Sequence, residues 1–145
     1  MRIELSEEDY RFLVDLAYLG EWMINAYRDP MRTLPEYEDA LRQLLVFCEE
    51  AGFPELADEE THDPTSVLEN DREVRRFIEG YNDENFWHEL LERLAYRDLE
   101  KKMGFRTVRD LPPEERDRLL EEIEDKYLEE LEKNGIDNLE FKGTP

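Results

Sequence analysis

The chain has 145 residues, enough for one domain whose core needs neither a disulfide nor a metal. Its 40 acids against 19 bases give a net charge of −21, which disfavours direct contact with nucleic-acid phosphates or an anionic membrane. The 39% apolar and 11% aromatic residues supply a core, and the longest wholly aliphatic or aromatic run, Leu44-Leu45-Val46-Phe47, is far too short to cross a bilayer.

In chain order the pattern predicts five helices and almost no strand. Ser6 caps the first, with Glu7, Glu8 and Asp9 in its opening turn, where they complement the helix dipole. That helix runs to about Arg28 and stops before Asp29-Pro30. Thr33-Leu34-Pro35-Glu36 reads as a capping box opening a second helix, which ends at Gly52. Residues 53–65, with Pro54, Pro64 and the run Asp58-Glu59-Glu60, read as loop. A third helix is expected from about Ser66 to Glu79, ended by Gly80. Asn82 or Asp83 caps a fourth, which ends before Gly104. Residues 104–111 connect, and Pro112-Pro113-Glu114-Glu115 opens a fifth that runs to Asn134-Gly135. Two alternating stretches, Arg2-Ile3-Glu4-Leu5 and Asn138-Leu139-Glu140-Phe141, are expected to pair as a tiny two-stranded ribbon joining the termini.

In the fourth helix Phe86, Trp87, Leu90, Leu91, Leu94, Ala95, Leu99 and Met103 recur at spacings of three and four. That is one buried face, with Trp87 on it and His88 at its border. Glu84, His88 and Glu92 fall on one line, the one arrangement there that would suit a metal. A di-iron bundle, however, wants Glu-x-x-His pairs, and the chain has none. The segment FWHELLERLAYRDL, Phe86 to Leu99, resembles segments of small bacterial helical proteins of unknown function. The resemblance covers about a tenth of the chain and carries no catalytic motif; it implies a bacterial source and no particular activity.

The first helix is apolar around most of its circumference: Phe12, Leu13, Val14, Leu16, Ala17, Leu19, Met23, Ile24, Ala26 and Tyr27. A helix of that kind is expected to be central to the bundle, or to face a second subunit. Arg11, Asp15, Glu21 and Asn25 form a narrow polar stripe, and Tyr18 and Trp22 sit inside it. The pair is either covered by another element or is an exposed aromatic anchor; Tyr18 and Trp22 are the candidate interface residues.

Reactive chemistry is sparse. The only serines are Ser6 and Ser66, neither in a nucleophile-elbow context, and no glycine-rich phosphate loop is present. Cys48, the only cysteine, is in phase with Leu41, Leu44 and Leu45, so it reads as a buried, inert thiol. Glu121, Glu122 and Asp125 form a partial Mg²⁺-binding signature of the kind found in helical nucleotide pyrophosphohydrolases, without its second helix. Lys126 and Lys133 among them suit an exposed ion-pair face instead.

The acid excess is even: 12 acids and 5 bases in residues 1–50, 15 and 7 in 51–103, 13 and 7 in 104–145, or −7, −8 and −6. It solvates the surface, steers a basic partner, or imitates the phosphates of DNA. Arg outnumbers Lys 14 to 5, a bias that also suits a salty cytoplasm. With a lone cysteine and no signal-type apolar run in MRIELSEEDY, the expected setting is cytoplasmic. The expected fold is all-α, a single helical domain over residues 1–145. The expected function is a non-catalytic acidic protein-interaction module, self-associating or bound to a protein partner. No catalytic residue, metal or cofactor is assigned. The rival readings are a Mg²⁺-dependent nucleotide pyrophosphohydrolase and a DNA-mimic regulator of a nucleic-acid-binding protein.

Overall fold

The computed structural model describes residues 3–140. The chain is all-α: six helices account for most of it, with no strand among the described residues and one isolated antiparallel bridge, Ala57 to Pro64. No helix among the described residues is long and apolar enough to cross a membrane. Of the expected ribbon, Arg2 and Phe141 lie outside the described residues, and residues 3–5 and 138–140 carry no strand. The chain packs as two compact units, Met1–Tyr81 and Asn82–Pro145.

The first unit begins with α1 (Glu7–Asn25), capped as its sequence demands: the Ser6 hydroxyl accepts from the Asp9 amide at 3.1 Å. After a 3₁₀ turn at Pro30–Arg32 comes α2 (Pro35–Leu45). Asn25 closes the connection from inside. Its buried amide accepts from Leu34 N at 2.9 Å and donates to Leu34 O at 3.3 Å, satisfying backbone groups that would otherwise be left unpaired. The helical conformation of α2 stops at Leu45, earlier than Gly52. Tight turns follow until Gly52, whose φ of +87° only glycine adopts cheaply, turns the chain. Another 3₁₀ turn (Pro54–Leu56) and an acidic loop lead to α3 (Ser66–Glu69).

Gly80 does not end a helix. The break lies ten residues earlier, at Asn70-Asp71, and a single helix α4 (Arg72–Met103) runs through Gly80, Asn82 and Asp83. The Asp71 carboxylate accepts from the amides of Glu73 at 2.9 Å and Val74 at 3.2 Å and so caps α4. The core of this unit is Tyr10, Val14, Tyr18, Leu41, Leu45, Cys48, Leu56, Leu68, Val74 and Ile78.

The second unit holds the remainder of α4, then α5 (Phe105–Asp110) and α6 (Pro113–Asn134). Residues 104–111, expected as a plain connection, form α5 after Gly104 turns the chain at φ +87°. Its core is small: Ala95, Leu99, Val108 and Leu120, with Tyr96, Met103, Leu119 and Ile123 against it. Trp87 is not in that core. It is half-buried beside a groove of about 350 Å³ with Leu91, Leu128 and Leu131, and its indole N–H donates to Asp83 at 3.2 Å. Ala95 and Leu99, two and three turns further along α4, take the central positions instead.

Candidate functional site

α1 is not the enclosed centre of a bundle. Only one stripe of it is buried: Tyr10, Val14, Tyr18 and Asn25. Three of these four carry polar groups, and two find partners inside. The Tyr10 hydroxyl donates to Leu44 O at 2.8 Å, and Asn25 holds Leu34. Arg11, on the edge of the stripe, bridges Asp15 and Asp71 at 2.9 Å each and so ties α1 to the start of α4. Burial lifts the Asp15 carboxyl above its ordinary range despite Arg11. Burial alone would lift Asp71 too. The amides of Val74 and Glu73, with the Arg11 guanidinium, outweigh it and hold Asp71 below the usual carboxylate range.

The opposite side of α1 is bare. At ~100° per residue, Phe12, Leu13, Leu16, Gly20 and Met23 fall within an arc of ~100°, and Tyr27 follows in the turn after Asn25. No charged side chain lies on that arc between Phe12 and Tyr27. The large residues of the arc, with Tyr27 and with Phe77 and Tyr81 of α4, are between 38% and 75% exposed. At roughly 200 Å² for a large apolar side chain, these residues together expose about 800 Å². Between the helices, Leu16, Leu19, Trp22, Met23, Phe77, Ile78 and Tyr81 line a groove of about 360 Å³. Arg76 lies over the ring of the groove residue Phe77 at 5.3 Å, and Arg28 over the exposed Tyr27 ring at 5.1 Å.

Of the pair singled out from sequence, Tyr18 is 8% exposed and belongs to the core, while Trp22 is half-buried and lines the groove. The sequence showed that α1 is apolar nearly all round. It did not show that Leu16, Phe77 and Tyr81 are the exposed members, because periodicity does not say which of two apolar faces meets a neighbour.

The reactive groups are placed otherwise. Cys48 is buried, its Sγ 3.4 Å from the Tyr10 hydroxyl, which shares its one proton between Leu44 O and this sulfur. Burial pushes the thiol up, away from the reactive thiolate, and outweighs the Tyr10 hydrogen bond. Cys48 and His62 line one depression of about 320 Å³ with the acidic loop. In that loop Asp58 accepts from the amides of Glu60 at 3.0 Å and Thr61 at 2.9 Å, and its carboxyl sits below the usual range for that reason. Asp63 is held by Arg42 at 2.5 Å, which likewise lowers its carboxyl. His62 takes φ +57°, a left-handed conformation unusual for a side chain with a Cβ.

Glu84 and His88 are exposed on α4, and Glu92 is half-buried. Glu121, Glu122 and Asp125 are exposed along α6, with Glu122 paired to Arg118 at 2.9 Å. Among the described residues no three His, Cys, Asp or Glu side chains converge in a metal-holding group. In the second unit the Tyr127 hydroxyl donates to Asp98, which also accepts from Arg97 at 2.8 Å. This links α6 to α4. Compared with protein families, curated proteins and solved structures, the chain matches none.

Proposed function

We propose that this chain is a non-catalytic, acidic protein-interaction module of the cytoplasm, and that it docks through the bare face of α1 and the neighbouring residues of α4. One observation carries the reading: seven large apolar residues of α1, the turn after it and α4 expose about 800 Å² in all, four of them around one groove, on a chain that is 41% charged. That area equals what each partner contributes to a standard protein interface, about 800 Å². Its composition fits as well, with Phe77, Tyr81, Met23 and Trp22 lining the groove and Arg76 over the Phe77 ring. Trp22 supplies part of the groove wall, and Tyr18 packs beneath in the core. The partner is a protein, either another kind or a second copy.

The test compares what the native chain and the Leu16→Glu variant retain from an extract of the source cells. Leu16 is two-thirds exposed, so the substitution leaves the fold intact. A charge in the middle of a desolvated contact is expected to weaken retention at least about tenfold with unchanged helix content. Equal retention by both would overturn the reading.

A further inference from the structure

α4 is helical from Arg72 to Met103, yet its middle packs against nothing. Val74 and Ile78 anchor its first turns in one core, and Ala95 and Leu99 anchor its later turns in the other. Between them the eight residues from Glu79 to Phe86 are all exposed. Eight residues exceed two turns, so no side of the helix is covered there.

The composition of this stretch works against a helix. Six of its eight residues are polar or glycine. Gly80 costs more helix stability than any residue but proline. Asn82, Asp83 and Asn85 rank low because their side chains compete for the backbone. The three acids have no base among them, and Glu79 and Asp83 stand like against like one turn apart. A helix bathed by solvent on every side relies on ion pairs at such spacings. The pairs on α4 lie outside the stretch, Arg76 with Glu73 before it and Arg93 with Glu89 after it. One side-chain hydrogen bond reaches into it, from the Trp87 indole to Asp83 at 3.2 Å.

We infer that α4 opens locally from Glu79 to Phe86 while the cores on either side stay folded. No residue of the stretch is buried, so opening uncovers little apolar surface, and water meets the freed amides and carbonyls. The helix is the main state, and the opening is a minor excursion from it that spares both cores. Tyr81 lies inside the stretch, so each opening takes one wall from the apolar groove, while Ile78, buried in the first core, keeps its place. The opening needs no occupant in the groove, so it holds whether or not that face docks a protein.

The test is hydrogen exchange of the full chain, read residue by residue by NMR. In an α-helix the amides of residues 83–90 bond the carbonyls of residues 79–86. Relative to their intrinsic rates, these amides are expected to exchange at least about 30-fold faster than those of Ala95 and Leu99 on the same helix. A variant carrying Gly80→Ala, Asn82→Ala and Asn85→Ala puts the best helix former at three exposed positions, so the fold is kept, checked by circular dichroism. It is expected to slow exchange at residues 83–90 at least about tenfold.

Equal protection along α4 in the native chain would mean that its middle opens only when a core unfolds, and overturns the local opening. So does exchange at residues 83–90 that the three alanines leave unchanged. Retention of a partner by the native chain and by Leu16→Glu is read separately, so the docking face and the opening of α4 fail independently.

Discussion

Asp98 shows how a single carboxylate holds two helices and what that does to its acidity. The Arg97 guanidinium hydrogen-bonds it first and the Tyr127 hydroxyl second, and together they depress its carboxyl far below the ordinary value of 3.8. Tyr127 is pushed the other way, chiefly by burial and then by donating to Asp98. A carboxyl whose folded pKa is lowered stabilises the fold fully above its unfolded pKa, and that contribution fades as pH falls toward the folded value. The native chain is therefore expected to exceed Asp98→Asn in stability at neutral pH, with the difference shrinking below about pH 4. Urea midpoints at neutral pH and at about pH 3 check it; a difference constant across that range would mean the ionised form contributes nothing. Other residues act through geometry rather than charge. Asn25 was legible as part of a polar stripe on α1, but nothing in its neighbours announced that its amide would hold both backbone groups of Leu34. Such a bond joins two points nine residues apart across a turn, and a helical wheel contains only one side of it.

At the scale of elements, most boundaries were written in local chemistry. Ser6 caps α1, Pro113 opens α6, and Gly104 and Gly135 follow α4 and α6 with positive φ. Gly80 was one exception, beside the early end of α2 at Leu45 and the helix α5. A helix tolerates an interior glycine at roughly 1 kcal/mol, and packing on either side of Gly80 repays that cost: Val74 and Ile78 in one core, Ala95 and Leu99 in the other. The true start of α4 was marked by Asp71, whose carboxylate bonds the amides of Glu73 and Val74. Asp71 lies inside the span that apolar periodicity assigned to a helix, so its capping signal was overrun. The positions differ in what they allow. A Cβ at Gly80 meets nothing within 4 Å, and its φ is helical. Gly80→Ala is expected to raise stability by about 0.5–1 kcal/mol, seen as a higher melting temperature. If a helix ended there in a left-handed turn, the same change would lower it. The candidate site was legible in the same partial way. The breadth of apolar residues on α1 pointed to a partner, but Phe77 and Tyr81 joined that surface through tertiary packing that spacing does not encode.

For the whole molecule, charge is the dominant feature. Acids outnumber bases 21 to 8 in residues 1–81 and 19 to 11 in 82–145, so the two units carry −13 and −8. Ion pairs such as Arg11 with Asp71 and Arg42 with Asp63 draw on the few cations available, leaving most acids facing like charge. Self-repulsion of this kind destabilises the compact state and is screened over about 8 Å at physiological ionic strength. The melting temperature is expected to rise as sodium chloride is raised from low to moderate concentration. A fall would mean that the ion pairs outweigh the repulsion. The even acid excess was plain from the sequence. The division into two small cores was not, because a list of apolar faces does not state which of them meet.

Cys48 has a practical consequence. It is the chain's sole sulfhydryl, and it lies buried against the Tyr10 phenol where α1 meets the turns after α2, in the wall of the depression it shares with His62. An alkylating reagent reaches it only when that junction opens, so the pace of its covalent labelling is a clock for breathing of the N-terminal half, wound by the protein's own composition and needing no probe to be engineered.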